Sequence, residues 1–208
     1  VDEGVTLSFG LVDEAAGLRT HLPGLSDSEI FLGDALSFRR ANEDEALIDQ
    51  YRMPITLVRR TGEAPLESLF AAVHEPHGGD PFIKSANVRT GEDGGTVIEV
   101  NHGSTTDYIL LSDANGSVTL GEGELAGDVG FVRERKGKPV AMALWGGTRL
   151  RWSDTEVTSS GVQEARVEKV SRRAEGDDAN ALTVSEPFPE GTDLKGAVAI
   201  IEFGDGTT

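Results

Sequence analysis

The sequence contains no cysteine. No disulfide can staple the fold, no thiol nucleophile exists, and thiolate zinc sites are excluded, while the redox compartment stays open. No apolar run is long enough to span a bilayer, and nothing resembles a signal peptide. Aromatics are scarce, with two Trp, two Tyr and eight Phe among 208 residues. Few rings are therefore on hand as binding platforms. Positive charge is also short: 19 Lys and Arg stand against 36 Asp and Glu, a formal net charge of −17. Such a field repels nucleic acid and anionic membranes. Sustained helical periodicity is missing too. Only NEDEALIDQY (42–51), with acids in its first turn and Pro54 beyond, suits a turn or two of helix.

What is present is strand after strand. Segments such as VTLSFGLV (5–12), SEIFLG (28–33), ALSFRR (35–40), PITLVRR (54–60), SLFAAVH (68–74), TVIEVNH (96–102) and DYILLSD (107–113) alternate apolar with polar residues. More follow at GFVRER, VAMALW, TRLRW, EARVEKV, ALTVS and AVAIIEF. Gly, Asp, Asn and Pro separate them, and 26 glycines suit many tight turns. The expected fold is all-β, an antiparallel β-sandwich, jelly-roll-like, of about fifteen short strands. No internal repeat and no linker divides residues 1–208, so they read as a single module. The chain begins at Val1, which suggests a piece excised from a larger protein. Asn115-Gly116 and Lys136-Gly137-Lys138 have hairpin chemistry. A Gly146-Gly147 turn in VAMALWGGTRLRW would pair Trp145 with Thr148, Ala143 with Leu150 and Ala141 with Trp152.

Candidate chemistry is sparse. In FAAVHEPHGG (70–79), His74, Glu75 and His77 offer three potential ligands, and a metal there would need His102 or Asp80 as well. Pro76 and Gly78-Gly79 favour instead a corner where a strand stops, with Glu75 or His74 bonded to nearby backbone. No G-x-S-x-G elbow and no phosphate-cradling glycine motif occurs. Carboxylate pairs are too abundant for sequence to single one out. Calcium suits Asp-rich loops better than other metals, in a structural role; Asp177 and Asp178 are its candidate ligands, with Asp113-Ala114-Asn115 as another such loop. The competing reading is a solvated acidic turn. Arginines occur at alternate positions, Arg133/Arg135 and Arg149/Arg151, which points each pair one way. With Trp145 or Trp152 at an edge they would form a cationic stripe for a glycan. The competing reading pairs them with the many acids on a solvated sheet face.

YRMPITLVRRTGEAPLESLFAAVHEPHGGDPFIKSANV (51–88), followed by GDVGFVRERKGKPVAMALWGGTRL (127–150), resembles the distal, C-terminal β-sandwich region of bacterial heparinase II/III-like polysaccharide-degrading proteins. The ordered elements are an arginine pair, T-G, P-L-x-S, F-A-A-V-H-E-P and P-F-I. In that family an upstream helical toroid carries the lyase chemistry, and this chain has no toroid-like helices. The resemblance therefore implies a non-catalytic carbohydrate-binding module of a secreted bacterial enzyme, tethered to a catalytic domain and holding a polysaccharide, acidic if the arginines read it. Arg133, Arg135, Trp145, Arg149, Arg151 and Trp152 are the expected binding residues, and no catalytic role falls on any residue, His74, Glu75 and His77 included. The alternative is a structural accessory domain that packs against the toroid of a polysaccharide lyase.

Overall fold

Alternation of β-branched and apolar with polar residues, broken by glycine-rich turns, produces antiparallel ladders along the chain. A computed structural model describes residues 4–10, 15–25, 27–37, 45–113, 116–161, 163–192, 194 and 198–202. Among these lie sixteen strands: β1 (Val5–Gly10), β2 (Ala16–Leu22), β3 (Ser28–Leu36), β4 (Arg52–Arg60), β5 (Val73–Gly78), β6 (Ser85–Thr90), β7 (Thr96–Asn101), β8 (Thr105–Leu111), β9 (Ser117–Leu120), β10 (Gly123–Ala126), β11 (Val129–Arg135), β12 (Lys138–Trp145), β13 (Arg149–Trp152), β14 (Thr155–Thr158), β15 (Val167–Ser171) and β16 (Ala181–Val184). The protein is all-β. Its helical content among the described residues is two short 3-10 segments, Glu45–Gln50 and Arg173–Glu175. The first occupies most of the expected helical stretch, whose residues 42–44 fall outside the described set, as do 38–40, Asn115, Ala197 and Phe203. Residues 198–202 carry no strand.

The chain divides into two compact units, Val1–Val88 with Ile98–Gly103, and Arg89–Val97 with Ser104–Thr208. In the first, β2 lies between β1 and β5, and β3 pairs with β4 as a separate two-stranded ribbon. Leu22, Leu25, Ile83 and Val100 supply its buried apolar residues.

In the second unit, one sheet has the order β14–β13–β10–β9, and β11 pairs with β12 on one side and β8 on the other. Leu110 and Val132 from this second set, with Val97, meet Val118, Leu125, Leu150 and Trp152 from the first in one buried cluster. This is sandwich packing, in which every second residue of each strand faces the opposing sheet. Burying one such Leu or Val side chain fully contributes about 1.5–3 kcal/mol. Gly123 makes room for Trp152, since a Cβ there would sit 2.5 Å from the ring atom Cζ3.

Two expectations about local structure are corrected. Gly146-Gly147 is a crossover between the two sheets, because β12 pairs with β11 while β13 pairs with β10 and β14. Backbone proximity requires glycine at this crossing: a Cβ on Gly127, whose φ is +155°, would lie 2.5 Å from the Cα of Gly147. The second correction concerns His74, Glu75, Pro76 and His77, which lie inside β5 and not at a corner beyond it. Pro76 is accommodated because β5 is an edge strand, where a missing N–H breaks no ladder on the outer side.

Candidate functional site

Glu75 is the most deeply buried charged residue described, 1% exposed. It stands directly opposite Arg19 of β2, two strand positions from His21 on the same side. Its Oε2 accepts hydrogen bonds from Arg19 Nε at 2.8 Å and His21 Nε2 at 3.2 Å, and its Oε1 accepts from the backbone N–H groups of Phe82 at 2.5 Å and Ile83 at 2.7 Å. Arg19 Nη2 donates in turn to the Ile83 carbonyl at 2.5 Å, and Thr6 Oγ1 lies 3.2 Å from His21 Nδ1. Burial pushes the Glu75 carboxyl up, but donors from Ile83, His21, Arg19 and Phe82 outweigh it and hold the group at about 2, below its ordinary 4.5. A carboxylate so fully engaged is a structural clamp on residues 82–83. It has no lone pair oriented for proton transfer or metal binding. His74 bonds Thr20 Oγ1 at 3.0 Å, and His77 Nδ1 donates to the Gly79 carbonyl at 2.8 Å. Sequence reasoning passed over Arg19 and His21; their i, i+2 spacing in AGLRTHL was the available signal.

The six expected binding residues are not brought together. Strand alternation sends Leu150 and Trp152 into the core, so Arg149 and Arg151 point out of the β14–β13–β10–β9 sheet. Val132 points inward from β11, which sends Arg133 and Arg135 out of the opposite face of the sandwich. Trp152 is 9% exposed, tilted against Tyr108 with ring centroids 4.5 Å apart, and its Nε1–H donates to Glu134 Oε2 at 3.1 Å. The single cationic stripe is therefore replaced by two faces and one core residue. Period-2 alternation orients residues within a strand but says nothing about which sheet a strand joins.

On the first face, Arg149 and Arg151 share one carboxylate. Glu124 sits opposite Arg151 and accepts from Arg151 Nη2 at 2.5 Å, Arg151 Nε at 3.3 Å and Arg149 Nη2 at 3.1 Å. The Arg151 hydrogen bond, reinforced by the charges of both arginines, lowers the Glu124 carboxyl against a smaller desolvation effect, and the same contact raises Arg151.

The outer face of β8, β11 and β12 differs. Register places Trp145, Val129 and Leu111 in one row, Ala143, Phe131 and Ile109 in the next, then Ala141, Arg133 and Asp107. Ala141 and Ala143 on the edge strand are small, and Phe131, Val129 and Ile109 in the neighbouring rows are half-buried. Trp145 is 49% exposed. Arg133 forms a bidentate pair with Asp107, 2.7 Å at both contacts, with its guanidinium carbon 5.8 Å from the Phe131 ring centre. The hydrogen bond and charge of Asp107 raise the Arg133 pKa and hold the pair charged. Three of the five Arg133 N–H donors remain uncommitted to Asp107. Arg135 reaches Thr105 Oγ1 at 3.4 Å and has no carboxylate partner among the described residues. From the Trp145 row to Arg135 is about 20 Å along the strand.

Asp177 and Asp178 lie exposed between β15 and β16. Asp177 Oδ2 accepts the Arg172 backbone N–H at 2.7 Å, and the Asp178 carbonyl accepts from Arg173 Nε at 3.1 Å. Among the described residues no three acidic or imidazole side chains converge on a point that would hold a metal, and no helix is long and apolar enough to cross a membrane. No known protein family, no curated protein and no solved structure significantly matches the chain.

Proposed function

We propose that the chain is a non-catalytic carbohydrate-binding module of a secreted polysaccharide-degrading enzyme, and that the polymer lies along the outer face of β8, β11 and β12. The half-exposed Trp145 carries this reading, since it shares that face with Phe131, Arg133 and Arg135. An indole presents a rigid apolar plane to the C–H face of a sugar ring. The free donors of Arg133 suit ring hydroxyls, and Arg135 suits a carboxylate or sulfate. The ordered motifs of 51–88 that resemble heparinase II/III-like proteins support a polysaccharide context. Tethering such a module to a catalytic domain would raise the local substrate concentration without any chemistry of its own. Calcium bound at the 175–178 loop would act structurally, at a distance in sequence from this face.

Affinity electrophoresis in gels cast with acidic and neutral polysaccharides, with calcium and with chelator, tests the assignment. Retardation by at least one polymer is expected. Trp145→Ala should weaken it at least tenfold, Arg135→Ala should weaken it for acidic polymers alone, and Arg149→Ala/Arg151→Ala should leave it unchanged. Absence of retardation by every polymer, or retardation insensitive to Trp145→Ala, would overturn the placement.

A further inference from the structure

The hairpin that joins β11 to β12 concentrates positive charge on an acidic chain. Its residues 133–138, RERKGK, hold four of the 19 Lys and Arg residues and a single acid, Glu134. Strand alternation separates the two signs: Arg133 and Arg135 point out of the sandwich, while Glu134 takes the other side and accepts from the Trp152 indole N–H at 3.1 Å. Register then sets Lys138 of β12 directly opposite Arg135. Both are exposed. Like charges facing each other across two strands, with about 5 Å between Cβ atoms, repel and weaken the pairing. Neither cation forms an ion pair with a carboxylate among the described residues; Arg135 reaches only the Thr105 hydroxyl, at 3.4 Å. Asp107, in the next row, is held by Arg133 through both carboxylate oxygens.

We propose that this hairpin end is an anion subsite, where Arg135 and Lys138 together take one sulfate or carboxylate group of the polymer, and that Lys138 thereby sets a preference for acidic over neutral polysaccharide. The assignment rests on the binding face proposed above and adds to it a residue of the opposing strand. An anion seated between the two cations turns their repulsion into attraction. The Arg135 guanidinium offers a planar fork to two anion oxygens, and the Lys138 ammonium supplies a further charged donor. The chain's −17 does not cancel this attraction, because at physiological salt exposed charges beyond about 8 Å are largely screened. Trp145 and Lys138 occupy opposite ends of β12. Ring and cations therefore meet different parts of one polymer, and their effects separate: Trp145 serves every polymer, Lys138 only acidic ones.

Affinity electrophoresis in gels cast with heparin, alginate or a neutral glucan, at low and raised salt, reads that separation. Wild type should be retarded more by at least one acidic polymer than by the glucan, and raised salt should erase the difference. Whether heparin or alginate retards more tells sulfate from carboxylate. Lys138→Gln should weaken retention by the acidic polymer about tenfold and leave the glucan unchanged, and Lys138→Arg should keep the preference. Lys169→Gln removes the same charge from an exposed position on β15 and should change neither. If Lys138→Gln has no effect, lowers acidic and neutral retention alike, or is matched by Lys169→Gln, the subsite is overturned while the Trp145 placement stands. If no polymer retards the wild-type chain, the subsite and the binding-module reading fall together.

Discussion

The two units differ in the kind of side chain that each buries most deeply. In the unit built on β8 to β16, Val97, Leu110, Val118, Val132 and Leu150 are fully buried, and the core is apolar apart from the indole N–H of Trp152 and its Glu134 acceptor. In the other, the least exposed side chain is a carboxylate, and Arg19, His21 and two backbone amides converge on it. Apolar packing tolerates a range of shapes, because its energy follows area. A buried carboxylate tolerates little, because each donor aimed at it loses its partner when it goes. The difference teaches that removing one side chain undoes more buried contacts at once in the first unit than in the second, although Leu22, Leu25, Ile83 and Val100 are buried there too.

The sharpest break in that comparison is Glu75→Ala. It leaves a guanidinium, an imidazole and two amides without their acceptor, and should cost about 4 kcal/mol. Leu150→Ala in the apolar core should cost about 3 kcal/mol. Amide hydrogen exchange, resolved by residue, should show the loss of protection in each variant concentrated in its own unit; equal loss in both units for both variants would mean that they do not stand independently.

Acid should separate the units next. Because the Glu75 carboxyl is depressed to about 2 from 4.5, its contribution is complete above pH 4.5 and withdrawn as pH falls toward 2. Exchange at the Phe82 and Ile83 amides should therefore rise within that window while the Leu110 amide stays protected. Simultaneous release of both would contradict a clamp local to the first unit. The smallest expected effect is at Arg149→Ala, where an exposed cross-strand pair with Glu124 should contribute under about 1 kcal/mol in urea unfolding.

Fold class was legible in the chain because alternation and turn residues are local signals. VTLSFG, TVIEVN and GFVRER announce strands, and the all-β antiparallel architecture follows from their number. Within a strand, parity alone correctly paired Arg133 with Arg135 and Arg149 with Arg151. The crossover at Gly146-Gly147 was not legible, since the same dipeptide closes a hairpin or changes sheets depending on what Gly127 leaves room for. Trp152 was misplaced for a related reason: an aromatic at a strand end looks the same whether the opposing sheet covers it or not. HEPH was read as a turn because Pro76 is a local breaker, and only its position on an edge strand makes it strand-compatible.

The sequence by itself determined what the backbone can do residue by residue: strand, turn, side-chain parity, the absence of thiol chemistry and the sign of the overall field. The tertiary structure alone decided which strands share a sheet, and with that which arginines are engaged by Glu124, which ring stays in water and which carboxylate becomes a clamp. The physical reason is range. Propensity and alternation act over a few bonds, whereas the meeting of Arg19 with Glu75, or of Leu150 with Leu110, depends on packing free energy summed over residues far apart in the chain.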